Sequence, residues 1–348
     1  MENYSKHIIS FDSSLKDGLI AINELDDEIL CLFVVDKEKR MIGSLTDGDI
    51  RRALISGIML DDHIESAMKK DFVKVLVDKI TPSEIRGYRS KGVTLLPCID
   101  EEGKIHRVYD LAAKQSILPI DAVLMAGGKG IRLRPLTETT PKPLLKIGDK
   151  AIIDYNVDRL LHYGVEYIHV NINYLAEQIE SHFEKKKDGI NIDCVREPEY
   201  LGTMGSVKFI TSFHHDTVLV MNSDLFTNID LEEFYIQHIK QDADMSVASI
   251  PYSVSVPYGI FELDDINIKG LREKPTYNYY ANGGIYLVRR HLFDHIPENT
   301  FFDATDFIEL LIAKGYNVIN FPLLGYWIDI GKPEDFKKVQ EFVKHLKV

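Results

Sequence analysis

The sequence predicts an α/β protein of two unequal parts: a duplicated α+β unit, then a larger open, doubly wound mixed sheet. Three observations carry this. At 348 residues the chain is longer than one ordinary core and shorter than three. Between residues 12 and 108 an order of helix, strand, turn and strand occurs twice, about 60 residues apart. From Ile120 a new apolar strand runs straight into Gly127-Gly128-Lys129-Gly130, the kind of strand end at which open α/β sheets meet their ligands. The boundary is expected at Pro119, giving parts 1–118 and 119–348.

Composition narrows the class before any motif is read. With 45% hydrophobic and 27% charged residues, the chain falls in the ordinary globular range, which excludes collagen-like and wholly disordered proteins. Apolar runs such as Ile29 to Val35 are strand-sized and far below the roughly 20 residues a bilayer requires, so no membrane span is expected. The start MENYSKHIISFDSS lacks a basic segment followed by an apolar one, and the expectation is a cytoplasmic protein. Cys31, Cys98 and Cys194 are widely spaced and odd in number. They offer neither a disulfide framework nor a CxxC metal site and are expected as buried thiols. The formal charge of -13 argues against a nucleic-acid surface, because phosphate neutralisation needs a basic face. An acidic protein that binds phosphates must do so with a few placed cations, backbone amides and a divalent metal.

In the front part, Leu15, Leu19, Ile22 and Leu25 recur at helical spacing behind the cap candidates Ser13 and Ser14. Ile29 to Val35 reads as a strand, Asp36 to Arg40 as a hairpin loop and Met41 to Leu45 as the return strand. Thr46-Asp47-Gly48-Asp49 then opens a helix. The second copy runs from a helix at Pro82–Ser90 through a strand at Val93–Ile99 and a turn at 100–103 to Lys104–Val108, and each copy is expected to end strand-to-helix. Two such repeats resemble a tandem pair of cystathionine-β-synthase-type (CBS) regulatory domains over roughly residues 5 to 115. The string Gly43-Ser44-Leu45-Thr46-Asp47-Gly48-Asp49 carries the likeness most strongly. The resemblance implies that Thr46 and Asp49 contact the ribose of a regulatory nucleotide. A Thr and an Asp at a helix start are equally an N-cap and a dipole-compensating acid, and both readings stand at this point. In the second copy only Asp110 of His106-Arg107-Val108-Tyr109-Asp110 keeps the pattern.

The larger part opens VLMAGGKGIRLRPLTETTPKPLLKIGDKAIIDY from Val123. Glycines after a strand let backbone approach a polyphosphate, and their N–H groups form an anion nest. Arg132 and Lys142 add fixed positive charge, the first as a fork and the second as a point charge. The GxxxxGK[ST] of a P-loop is absent, and the third glycine of a GxGxxG fingerprint is missing. The whole string resembles instead the sugar-phosphate nucleotidyltransferases, whose signature GGxGxRLxPLT followed by PKP is matched from Gly127, Gly128 and Gly130 through Arg132 to Pro143. That likeness implies a Rossmann-like mixed sheet and continues to residue 337.

Further roles follow from the resemblance. Leu201-Gly202-Thr203 belongs to a segment like the family's LGTAG, which implies contact with the nucleobase. Met204 stands in place of the alanine, with an effect on the base pocket left open. Asp224 ends the apolar run Val218 to Met221, where ligands of open sheets sit, and it matches one magnesium ligand of the family. Asp329, in Trp327-Ile328-Asp329-Ile330-Gly331, matches the other. Two carboxylates with phosphate oxygens and water suit Mg²⁺. Tyr258 and Gly259, Glu273 and Lys274, and Asn282 and Gly283 lie in family-like sugar-contact segments, with Lys274 on the sugar phosphate and Glu273 on sugar hydroxyls. Tyr277, Tyr279 and Tyr280 are expected to pack rather than to bind. The histidines are given no role.

The activity implied is transfer of a nucleoside monophosphate from an NTP, with GTP placed first, to a sugar 1-phosphate. The order of parts resembles the guanylyltransferases that make GDP-glucosamine for bacterial legionaminic acid, which makes glucosamine 1-phosphate the first acceptor. Mannose 1-phosphate guanylyl transfer and uridylyl or thymidylyl transfer are the alternatives, and a non-catalytic nucleotide sensor is the reading from another class. The expected partners are small molecules and a second copy of the chain, with no nucleic acid and no membrane.

Overall fold

The computed structural model describes residues 4–25, 29–77, 80–184 and 191–345. Two compact units emerge, Met1–Ile117 with His162–Gly164, and Leu118–Leu161 with Val165–Val348. Among the described residues no helix is long and apolar enough to cross a membrane.

The first unit contains β1 (Ile8–Ser10), α1 (Leu15–Asn23), β2 (Cys31–Val35), β3 (Met41–Thr46), α2 (Asp47–Ile55), β4 (Val75–Leu76), α3 (Pro82–Ser90), β5 (Leu95–Ile99) and β6 (Ile105–Asp110). Its duplication is topological. In each copy the first strand pairs parallel to the second across a helix, and the second pairs antiparallel to the third. Leu15, Ile22, Leu32, Leu45 and Ile50 form one core, and Ile85, Leu96 and Tyr109 another. Phe33, Met41, Ile99 and Val108 pack from both sheets into a third.

All three helices begin with a capping box: Ser14 with Asp17, Thr46 with Asp49, and Thr81 with Glu84. At α2 the Thr46 hydroxyl donates to Asp49 at 2.6 Å and accepts from the Asp49 N–H, while Arg52 takes the other Asp49 oxygen. Capping thus engages both residues. Replacing Thr46 by alanine should cost about 1 kcal/mol, read as a lower melting temperature.

The expectation that the second copy ends in a helix is not met. Asp110 turns its carboxylate onto the N–H groups of Ala112 and Ala113, and only a turn follows. Leu111 and Ile117 are both buried, so the segment after β6 packs into the core as a turn and extended chain. Of the cysteines, Cys98 is buried but Cys31 and Cys194 are only half-buried; burial pushes both of these thiols up to about 11.

The second unit continues with β7 (Ile120–Met125), β8 (Lys146–Ile147), β9 (Lys150–Ala151), α4 (Ile152–His162), β10 (Tyr167–Ile172), α5 (Ala176–Glu184), β11 (Asn191–Arg196) and α6 (Gly202–Gly205). Then come β12 (Thr217–Asn222), β13 (Leu225–Thr227), α7 (Leu231–Lys240), β14 (Met245–Ser255), β15 (Ile260–Asp264), β16 (Asn267–Arg272), β17 (Thr276–Arg289), α8 (Ala304–Ala313), β18 (Val318–Pro322), β19 (Trp327–Asp329) and α9 (Pro333–His345). Seven strands form a mixed sheet in the order β11-β10-β7-β12-β17-β14-β18. β11, β10, β7 and β12 run parallel, and β17 is antiparallel to both neighbours. β7 and β12 are buried at nearly every position, as expected for strands covered on both faces. The chain passes from β7 to β10 on one side and reaches β12 on the other, so the end of β7 is the switch point where such sheets form a crevice.

β14 and β17 run on past the sheet, and with the β15–β16 hairpin they form an exposed arm. Tyr279 and Tyr280, expected to pack, are exposed there.

Candidate active site

Three strand ends meet at the crevice. Ser223, just past β12, donates its hydroxyl to the Met125 carbonyl at 2.6 Å, and Asn156 of α4 donates to the Ser223 carbonyl at 3.0 Å. These bonds lock the ends of β7 and β12 together and fix Asp224. β13 then pairs antiparallel with β19, setting Leu225 opposite Asp329. Two carboxylates 105 positions apart in sequence thereby become neighbours.

Lys142 sits between them. It is buried, its ammonium contacts Asp224 Oδ2 directly, and Asp329 Oδ1 lies 3.8 Å away. The other Asp224 oxygen is buried with no hydrogen-bond partner. Burial, then the Asp224 charge, raises the Asp329 pKa, and Lys142 and Arg132 oppose that rise. The Arg132 guanidinium lies over Gly331, whose missing side chain leaves it room: a β-carbon there would stand 3.2 Å from it. Two acids and two bases are balanced here, in keeping with the few placed cations an acidic phosphate-binding chain requires.

The glycine loop is braced from outside. Gly130 has φ 58 and a β-carbon on it would reach 2.9 Å from Thr137, so glycine is required on both counts. Thr137 donates to the Gly130 carbonyl at 2.8 Å, and the Tyr174 hydroxyl holds the Thr137 carbonyl at 3.0 Å. The loop opens onto a cavity of about 650 Å³ lined by Gly127, Gly128, Gly130, Arg132, Lys142, Gly202, Thr203 and Asp224 among others. All eight are among the residues the motifs single out, and the fold brings them together. Asp329 flanks the same cluster through Lys142.

The remaining candidates lie elsewhere. Leu201 is buried behind the cavity; its N–H donates to Glu197 at 3.1 Å and its carbonyl accepts from Phe302 at 2.9 Å. Its backbone is thus spent within the fold and does not line the cavity. Thr203 lines it, but the Thr203 N–H is given to Asp303 at 3.0 Å. Met204 is fully buried in the core with Val207 and Phe307 and does not line the cavity. Tyr258, Glu273 and Lys274 project from the arm with side chains about 70% exposed, and neither they nor Gly259 line the cavity. Asn282 turns its carbonyl to the Gly284 N–H and the Tyr286 hydroxyl, and the Gly283 carbonyl accepts from Trp327 at 2.8 Å. Both lie within β17, where its pairing with β14 is interrupted by a bulge. His214 stacks on Tyr167 with ring centres 3.6 Å apart, and His215 bonds to buried Asp121 at 2.6 Å, both at the opposite end of β7.

Glu197, outside the quoted motifs, and Tyr200, Asn222 and Ser223, inside them but given no role, also line the cavity. Their signal was positional: each immediately ends or follows a strand or precedes the glycine turn at 202.

Residues 121–345 match the family model of the nucleotidyl transferases. The chain belongs to this family. Among its relatives is the D-glycero-alpha-D-manno-heptose 1-phosphate guanylyltransferase of Aneurinibacillus thermoaerophilus, 30% identical over 65% of this chain and 99% of that protein. A putative mannose-1-phosphate guanyltransferase of Sulfolobus acidocaldarius is 29% identical over 63% of this chain, which spans 62% of its length. In structure, this nucleotidyl transferase resembles HddC from Yersinia pseudotuberculosis, with a TM-score of 0.52 and 26% identity over 64% of this chain and 99% of that one. All three likenesses cover about the share of the chain that the second unit occupies.

Proposed function

We propose that the protein transfers a nucleoside monophosphate, with GTP as the first donor, to a sugar 1-phosphate, releasing pyrophosphate. One observation carries this reading: a buried lysine held between two carboxylates at the mouth of a glycine loop. The guanylyl preference draws support from relatives named as sugar-phosphate guanylyltransferases. Glucosamine 1-phosphate is the acceptor we place first, on the resemblance in domain order; mannose and heptose 1-phosphates follow.

A sugar phosphate is already an anion near neutral pH, so no general base is needed, and the obstacle is repulsion between two anions. Position and charge must supply the catalysis. Lys142 would bind oxygens of the α-phosphate, while Arg132 and the glycine loop amides would hold the departing pyrophosphate. Asp224 and Asp329 would hold a magnesium ion, a reading supported by the unpartnered Asp224 oxygen and by the hard oxygen donors this cation prefers. Among the described residues no three His, Cys, Asp or Glu side chains form a metal cluster, so substrate oxygens would complete the coordination. Such an ion supplies charge neutralisation at phosphate.

The test is pyrophosphate release with GTP, UTP, dTTP and CTP against a panel of sugar 1-phosphates, with products identified by mass spectrometry. Arg132→Ala should lower kcat by about a hundredfold or more, the scale of one lost transition-state donor. Release from no combination of substrates would sink the reading.

We also read the first unit as a CBS-type regulatory pair that carries the homodimer contact and takes a nucleotide at Thr46 and Asp49. The repeated strand pairing supports the duplication. If GTP, ATP or AMP derivatives shift the melting of the wild type and of Thr46→Ala equally, these two residues are caps alone.

A further inference from the structure

The arm that carries β14 and β17 beyond the sheet has an apolar side on each of its two ribbons. Successive residues of a strand point to opposite faces, and the register sorts them. Tyr252 stands opposite Tyr279 and Val254 opposite Tyr277, so these four share one face. The other face holds Ser253 bonded to Asn278 at 2.7 Å and Ser255 bonded to Thr276 at 3.1 Å. The β15–β16 hairpin repeats the division. Phe261 stands opposite Leu271 and Leu263 opposite Ile268, with Ile266 at the tip, and all five are between 56% and 86% exposed. Glu262, on the reverse side, pairs with Arg272, and Asp264 pairs with Lys269. Gly270 leaves room for the first of these pairs, since a β-carbon there would stand 2.9 Å from the Glu262 carboxylate. These polar groups are answered within the arm, and the faces left open are apolar.

A two-stranded ribbon with a bare apolar face is marginal in water and needs a second layer against it. The five hairpin residues with Tyr252, Val254 and Tyr279 each present about 100 Å², and their total of roughly 800 Å² is the share one partner gives to a standard stable interface. A lone chain rarely leaves that much apolar surface in one region. Charge points to the occupant. The whole chain has a formal charge of -13, yet residues 251–281 hold four acids against three bases. Two acidic copies can therefore meet here without the repulsion that the rest of their surfaces imposes, whereas a basic partner or an anionic lipid surface finds little charge to read. Stacking two such ribbons face to face makes a two-layer β unit in which each copy covers what the other leaves bare. A contact of this kind closes on a two-fold axis. We propose that the arm is a self-association surface, on which the apolar faces of β14–β17 and β15–β16 pack against the same faces of a second copy of this chain. It lies in the second unit and is separate from the contact read into the first.

The full-length protein is compared by sedimentation equilibrium with two variants. One carries Leu263→Lys and Leu271→Lys; in the other a short Gly-Ser turn replaces residues 260–272, whose flanks Gly259 and Glu273 already lie against each other. The wild type should sediment as a multiple of the monomer mass and both variants at half the wild-type mass, whether or not the first unit adds a contact of its own. Circular dichroism should show the fold kept, because both lysine positions are exposed within one chain. Amide exchange across residues 260–272 should be at least about tenfold faster in the lysine variant than in the assembled wild type. A wild type of monomer mass overturns the proposal, as do variants that keep the wild-type mass. If the lysine variant fails to fold, the hairpin replacement decides, since it removes the face without adding charge. A monomeric wild type that sediments with phosphatidylglycerol–phosphatidylethanolamine vesicles, and no longer does so after the hairpin replacement, gives the face to a lipid surface and also overturns the proposal.

Discussion

Replacing Asp224 by alanine is expected to lower kcat about a thousandfold or more, a barrier increase of roughly 4 kcal/mol, while the fold remains. Asp224 is set by the Ser223 and Asn156 bonds at the end of β12 and carries one oxygen on Lys142 and one without a partner. Its removal takes away half of the carboxylate pair that would hold magnesium. It also releases Lys142 from its nearer partner, leaving Asp329 at 3.8 Å. Circular dichroism and melting would confirm folding, and pyrophosphate release would read activity. Turnover near that of the wild type would remove the site assignment.

Lys142→Met should be the more damaging of the two for stability. Lys142 is 8% exposed and stands between two acids, so an apolar replacement leaves Asp224 and Asp329 facing each other without a cation. Breaking a buried charge pair from one side costs about 3–5 kcal/mol. Part of that is recoverable here, because Asp329 is partly exposed and Arg132 lies close by. The melting temperature should fall by several degrees, and turnover by at least about a hundredfold, as for loss of a charge-stabilising donor. In the double variant with Asp224→Ala the two losses should be far from additive, since both residues serve one cluster. Independent, fully additive effects would show that they act at separate places.

The glycine loop, Arg132 and Lys142 stood out inside one contiguous string and the two aspartates by resemblance to family motifs, and the structure places all of them around one cavity. The strand Ile120–Met125 was legible as an apolar run behind Pro119, and the helix Pro82–Ser90 by the proline that opens it. Glu197 was not legible. Nothing in Arg196-Glu197-Pro198 distinguishes a surface acid from a buried one; its burial comes from the depth to which β11 carries it and from the room that Gly127, lacking a side chain, leaves for its carboxylate. Leu201 was misplaced for the opposite reason, since a motif names a segment and not which of its N–H groups are already taken. Asp110 illustrates a third limit. The acid keeps its place in the repeat, but it accepts from the Ala112 and Ala113 N–H groups in a turn, and no helix follows.

The pairing of β13 with β19 also sets an order in time. A ribosome that has delivered the chain as far as residue 300 has made the glycine loop, Lys142 and Asp224, but not the strand that brings Asp329 beside them. The growing polypeptide can close most of its sheet around β7 and still lack the second carboxylate. On the proposed reading, in which Asp329 is needed beside Asp224, catalytic competence waits until β19 is made and paired, and a shorter chain would lack the second carboxylate.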